Sequence, residues 1–278
     1  MTVKRIIYDL LIKLTNMAGY NIGISKKPVA AIKALEPYHA YFQDGLMSRH
    51  SNEFLLDDKF IQAYDRGIKA ANGQDLKWHW RVHVGLWAAH TCSRIEGDYV
   101  ECGVGNGFLS SAIMEYLNWN ELNKNFFLFD TFEGLDQRYL TSEELVRIGD
   151  VESYNEEKRK TYYNKNYLSV VKNFQEWDRV HLIKGAIPET LNTITVDKVA
   201  YLHIDMNCVI PEIAAIEHFY PKLSIGSIIL LDDYAYCGAY EEKKAMDDWA
   251  DKIDVNILSL PTGQGMLIKT GLHAAPDE

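Results

Sequence analysis

Two groups of residues in this 278-residue chain carry types and spacings that chemistry needs. The first is Val100-Glu101-Cys102-Gly103-Val104-Gly105-Asn106-Gly107, followed about two dozen residues later by Phe126-Phe127-Leu128-Phe129-Asp130. It reads as a buried strand, a glycine turn, a helix and a second strand ending in an acid. That is the order by which an α/β sheet holds a nucleoside-containing ligand. Glycines let the backbone approach a ligand where a Cβ would clash, and the Asp130 carboxylate suits two ribose hydroxyls at once. The second group is Asp205, after Tyr201-Leu202-His203-Ile204, with Asp232 and Asp233 after Ile228–Leu231. Open α/β sheets bind ligands at the carboxyl ends of their strands. If these two strands are neighbours, three acids converge and repel. A hard divalent cation with oxygen ligands, of the Mg²⁺ or Ca²⁺ type, compensates them. The structural alternative is helix capping or pairing with lysine.

The turn is spaced GxGxG and lacks the third glycine and helix N-terminus geometry that a pyrophosphate wants. It therefore favours a mononucleoside such as S-adenosyl-L-methionine (SAM) over NAD. Glycines at a strand-to-helix turn can also be purely structural, so Asp130 and the acidic cluster carry the reading.

The elements that must position these residues follow from the sequence rhythm. Residues 1 to about 95 read as a helical N-terminal region, with the acidic pair Asp57-Asp58 suited to a helix start. From 96 to 278, strands and helices alternate. The predicted strands are Asp98–Cys102, Phe126–Asp130, Val180–Lys184, Val199–Asp205 and Ser227–Asp232. Several are continuous apolar runs, as in a parallel sheet covered on both faces. Leu109, Ile113 and Leu117 form one helical stripe; Ile213, Ile216, Phe219 and Leu223 form another, with Pro211 preset for a first helical turn. Val255–Leu260 and Gly265–Lys269 are joined by a connection too short for a crossover, so this last pair is antiparallel. The expected fold class is α/β: a mostly parallel Rossmann-like sheet of the class I methyltransferase variant, with a C-terminal antiparallel strand. Residues 133–177, dense in charge and tyrosine (Tyr139, Tyr154, Tyr162, Tyr163, Tyr167), exceed an ordinary connection and read as a lid or helical excursion over the site.

Composition bounds the function classes. Hydrophobic content of 47% supports a sizeable core, and a formal charge of −10 argues against a nucleic-acid duplex as partner. Cys92, Cys102, Cys208 and Cys237 show no CxxC spacing, so neither a zinc site nor a disulfide framework is indicated. No run is long and apolar enough for a transmembrane helix. Ile6–Ile12, broken by Asp9, lacks a cleavage site and reads as an amphipathic helix rather than a signal peptide. A soluble, cytoplasmic protein is expected. Leu10, Leu11 and Leu14 on one helical side leave homodimerisation open.

The segments VECGVGNGFLSS, LFDTFEGL, KGAIPETL, HIDMN, FYPKLSIGSIILLDDY and LPTGQGMLIK together resemble the macrocin O-methyltransferase (TylF-type) family over about residues 78–270. That resemblance implies a SAM-dependent, Mg²⁺-dependent sugar O-methyltransferase. It places SAM near Glu101, Gly103, Gly105, Asn106 and Asp130, and the metal on Asp205, Asp232 and Asp233. Arg81 and His83 match a basic stretch in relatives, which implies a cofactor or substrate role. One departure matters. The family's metal aspartate is followed two residues later by a second aspartate serving as general base, and here that position is Asn207. An amide cannot take a hydroxyl proton at neutral pH. Either the metal alone acidifies the hydroxyl, or another residue such as His203 is the base, or the acceptor differs. The acceptor would be a sugar, a sugar nucleotide, a polysaccharide end or a small polyol. The rival readings are a non-catalytic SAM- or nucleoside-binding regulatory or scaffold protein, which Asn207 supports, and an NAD-dependent oxidoreductase, which the missing glycine disfavours.

Overall fold

The computed structural model describes residues 40–160, 167–236, 238 and 240–271. The expected N-terminal helix with its leucine side, Cys237, Tyr162 and Tyr163 lie outside the described residues. Two units can be separated. One comprises residues 41–48 and 53–278; the other comprises 1–40 and 49–52 and lies almost wholly outside the described residues. Everything below concerns the first.

It opens with a hairpin, β1 (Tyr41–Gln43) and β2 (Leu46–Ser48). The turn is Asp44-Gly45 with φ of 50° and 70°, the positive pair that a two-residue hairpin requires. The all-helical expectation for 1–95 therefore fails at 41–48, where three-residue strands are too short to alternate visibly. Two helices follow, α1 (Asp58–Ala70) and α2 (His79–Cys92). Asp57 caps α1 by accepting from the Phe60 amide at 2.9 Å, as its position suggested.

The sheet contains β3 (Asp98–Cys102), β4 (Phe126–Asp130), β5 (Val180–Lys184), β6 (Val199–Ile204), β7 (Leu223–Leu231), β8 (Leu258–Ser259) and β9 (Gly265–Ile268). Their order is β5-β4-β3-β6-β7-β9-β8. The first five are parallel, β9 runs antiparallel to β7, and β8 antiparallel to β9. The sequence expectation holds for the parallel set and the antiparallel end. Its C-terminal limits differ: β7 begins at Leu223, counted above in a helical stripe, and β8 keeps two of six expected residues.

Side chains alternate faces along each strand, and the two cores follow that alternation. Tyr99, Phe126, Leu128, Tyr201, Ile228 and Leu230 bury with α1, α2 and α3 (Phe108–Leu117). Val100, Cys102, Phe127, Phe129, Leu202, Ile204, Ile229 and Leu231 bury on the other face with α7 (Val209–Phe219) and α8 (Tyr240–Lys252). In α7, Pro211 is the third helical residue, within the first turn as expected. Among the described residues, no helix is long and apolar enough to cross a membrane. Cys92, Cys102 and Cys208 are buried free thiols.

The 133–177 insert is a helical excursion of α4 (Ser142–Ile148), α5 (Val151–Arg159) and α6 (Tyr167–Asn173). It is bolted to the body by Glu144, whose side chain is fully buried. Glu144 Oε2 accepts from the Thr141 amide at 2.7 Å in a capping box, and Oε1 accepts from the Val209 amide at 2.7 Å. One carboxylate thus satisfies N–H groups at the starts of both α4 and α7, which neither helix can satisfy internally. Glu144→Ala leaves two buried donors unpaired and is expected to cost roughly 2–4 kcal/mol in urea unfolding. Glu144→Gln, which keeps one acceptor oxygen, should cost less.

Candidate functional site

The site begins with register. Glu101 on β3 lies opposite His203 on β6, so their side chains emerge side by side on one sheet face. His203 Nδ1 donates to Glu101 Oε1 at 2.9 Å, and His203 Nε2 lies 3.6 Å from Asp232 Oδ1. Strands β6 and β7 are neighbours, and Asp205 and Asp232 follow them directly. The Asp205 amide donates to Cys102 O, and the Asp232 amide to Ile204 O. Asp205 and Asp232 converge as expected, whereas Asp233 is not among the residues whose ligand atoms meet. His203, Asp205 and Asp232 each offer a ligand atom within 4.8 Å of the others.

Arg81, in the first turn of α2, supplies the compensation that the sequence left to a metal. Its Nη2 donates to Asp232 O at 2.6 Å and to Asp233 Oδ1 at 3.0 Å, and lies 3.0 Å from Asp232 Oδ2. The guanidinium is buried, with its Nε 3.9 Å from Asp44 Oδ2, and it lies 4.4 Å over the Tyr236 ring. Tyr236 in turn donates to Asp44 Oδ1 at 3.1 Å. Expected to serve cofactor or substrate, Arg81 lines the cleft and is paired there with the acids. His83 is not at the site: it stacks on Phe54 at 4.0 Å and packs beside Phe60 and Trp80.

The electrostatics follow from burial against pairing. Burial alone would raise Asp232, but Arg81 and His203 outweigh it and hold it well below the usual carboxylate range. Burial, reinforced by Asp232 and Asp233, pushes Asp205 well above that range. Burial also raises Asp233, against the pull of Arg81. For His203, burial disfavours the charged ring, yet the flanking Asp232 and Glu101 carboxylates lift it to about 10. At neutral pH that imidazole already holds its proton, so in this geometry it links two carboxylates and is not a base. Two polar groups orient the acids: Asn207 Nδ2 donates to Asp205 Oδ1 at 3.1 Å, and Gln264 Nε2 to Asp232 Oδ1 at 2.8 Å.

The glycine turn departs from its expected role in two ways. Gly103 has φ of +90°, and a Cβ there would sit 1.7 Å from Asp205 O. The residue is glycine so that β3 and β6 can close beneath the site, independently of any ligand. Asp130 Oδ2 accepts from the amides of Val104 and Gly105 at 2.7 and 2.8 Å, and Oδ1 accepts from Phe132. The Thr131 hydroxyl lies 3.5 Å from Oδ1 as well, so most of the carboxylate's accepting capacity is engaged within its own turn. Asn106 accepts from the Phe108 amide at 3.1 Å and so starts α3.

One cleft joins both halves. Glu101, Gly103, Gly105, Asn106, Asp130, Arg81, His203, Asp205, Asn207, Asp232 and Asp233 all line it, and Asp136, Tyr139 and Lys158 of the insert form one wall. Glu101 Oε2 and His203 Nε2 are buried without a hydrogen-bond partner. Asp44, Tyr236 and Gln264 were not legible as site residues. The Asp44-Gly45 turn signal could have exposed the first, and Gln264 was hidden within a connection.

A parallel five-stranded sheet with a glycine turn after its central strand, acids at the neighbouring strand ends and an antiparallel C-terminal strand defines the class I methyltransferase fold. The chain belongs to the macrocin O-methyltransferase (TylF) family, which matches residues 87–258. It is 24% identical over 174 residues to demethyldecarbamoylnovobiocin O-methyltransferase of Streptomyces niveus, a match covering 59% of this chain. The chain spans 62% of the length of that curated relative. The structure of the O-methyltransferase NovP shares the fold with a TM-score of 0.59 and 17% identity, covering 79% of this chain and 99% of that one. Asp44, Arg81 and Gln264 lie outside the family-matched residues.

Gly103→Ala is expected to destabilise by more than about 4 kcal/mol or to abolish folded protein, because strain and a backbone clash combine. Gly45→Ala, also at positive φ but with nothing within 4 Å of its Cβ, should cost only about 1–2 kcal/mol. Thermal melts of the two variants check the contrast.

Proposed function

We propose that this chain is a SAM-dependent O-methyltransferase acting on a hydroxyl of a sugar or related small polyol. The observation that carries the reading is the shared cleft, in which the glycine turn and the Asp205–Asp232–Asp233 cluster face one space. The Streptomyces niveus relative is named for O-methylation of demethyldecarbamoylnovobiocin, and only the class of reaction is carried over here.

The residues fit a SAM-like ligand. Glu101 Oε2 is a buried acceptor without a partner, suited to a cationic group. Gly103, Gly105 and Asn106 shape the backbone around the nucleoside, and Asp130, which lines the same cleft, would face its ribose. Bound there, SAM would supply an electrophilic methyl group. The acids also fit a hard divalent ion, since Asp44, Glu101, Asp205, Asp232 and Asp233 gather around Arg81 and protonated His203. Asp205, Asp232 and Asp233 would hold it, and its chemistry there would be to acidify an acceptor hydroxyl. The chain's own contribution is positional. Asn207 orients Asp205, Gln264 orients Asp232, and the insert wall limits water around the acceptor. Methyl transfer to an oxygen gains most from such placement. Asn207, at the family's base position, favours the rival reading of a SAM-binding protein without turnover.

Calorimetric titration of S-adenosylhomocysteine, in Mg²⁺ and then in EDTA, tests the cofactor. Micromolar binding weakened by Asp130→Ala is expected; no heat from folded protein would remove the reading. Asp232→Asn with Asp233→Asn should abolish methyl transfer while leaving S-adenosylhomocysteine affinity within about threefold. Equal loss of both would show that the acids and the cofactor site do not have separate roles.

A further inference from the structure

Arg81 Nη2 stands within 3.0 Å of one carboxylate oxygen from each of Asp232 and Asp233 and 2.6 Å from the Asp232 carbonyl. A hard cation bridging the same two side chains would seek the same oxygens. The guanidinium is also enclosed by neighbouring elements. It is rooted in the first turn of α2, covered by the Tyr236 ring at 4.4 Å, and its Nε is 3.9 Å from Asp44 Oδ2. The Tyr236 hydroxyl donates to the other oxygen of Asp44, so the hairpin tip and the ring are tied to each other over the guanidinium. This cation is 6% exposed, so it cannot be exchanged for solvent ions.

We propose that Arg81 is a tethered cation that assembles the Asp232–Asp233 edge of the cluster without metal and competes there with a divalent ion. The proposal rests on the reading of Asp205, Asp232 and Asp233 as a metal site. Two positive charges cannot share two carboxylate oxygens a few ångströms apart without strong repulsion in a buried setting. Metal entry therefore requires the guanidinium to yield, and the Asp44–Tyr236 clasp sets how readily it does so. Arginine suits this role better than lysine, because its planar fork contacts several oxygens at once and it remains charged when buried.

The test is Mn²⁺ binding to the full chain, read from the electron paramagnetic resonance signal of free Mn²⁺. Arg81→Met should bind Mn²⁺ at least about tenfold more tightly than the wild type, and adding Asp232→Asn should remove the gain. The melting temperature of the wild type should be indifferent to EDTA, whereas that of Arg81→Met should fall in EDTA. Equal or weaker Mn²⁺ binding by Arg81→Met, or a gain that survives Asp232→Asn, overturns the proposal. If Arg81→Met does not fold, Arg81→Lys decides. A compact ammonium on a shorter reach should relax the competition and tighten Mn²⁺ by at least about threefold, and unchanged or weaker affinity overturns the proposal. S-adenosylhomocysteine titration of the same wild-type sample separates the failures. Binding there with no Arg81 effect refutes only the competition, and no binding refutes the methyltransferase reading itself.

Discussion

The architecture of the cleft depends on one electrostatic constraint: carboxylates brought together at the ends of β6 and β7 must be neutralised without leaving the protein interior. Asp205, Asp232 and Asp233 follow adjacent strands because parallel register puts those strand ends side by side. Repulsion at such range is costly where water cannot screen it. Arg81 and protonated His203 answer it from two directions, one from a helix above the sheet and one from within the sheet. The opposite displacements of Asp205 and Asp232 record that division. The carboxylate nearest both cations stays ionised, and the one farther from them is pushed toward its neutral form.

Much of the surrounding structure can be understood as placing those two cations. Helix α2 presents Arg81 because its neighbouring residues are locked in an aromatic cluster: Phe54 packs on Trp80 at 4.7 Å and on His83 at 4.0 Å, and Tyr64 stacks on His79 at 4.5 Å. His83 thereby acts through packing rather than chemistry. His203 is placed by the β3–β6 register, which also joins it to Glu101. Cofactor side and acid side are therefore linked by a buried Glu101–His203–Asp232 chain of alternating charge. Low local dielectric strengthens each contact in such a chain and penalises any missing one.

Where sequence reading succeeded, the signal was local and periodic. Four of the five parallel strands begin where the apolar runs do, since alternation along a strand maps directly onto two cores. The acidic cluster was legible because strand ends are marked by where those runs stop. Reading was incomplete where a residue's partner is remote or its element very short. Gly103 lines the cleft, yet its lack of a Cβ is already required by the backbone of Asp205 on another strand. Asp130 looked free for a ribose, yet the turn it follows in sequence folds back and donates two amides to it. His203 looked like a spare base until its two flanking carboxylates were in view.

By itself, the sequence determined the class of fold, where along the chain most of its strands lie and which side chains would stand at their carboxyl ends, because periodicity and turn chemistry are properties of neighbours along the chain. Only the tertiary structure decided what those side chains do to one another. Arg81 and Asp233 are separated by 152 residues, and the hairpin tip at Asp44 reaches Tyr236 across 192. No local pattern encodes such meetings. They arise when packed cores bring the start of α2, the hairpin tip and the β7 strand end to one place, where charge and desolvation set each group's state.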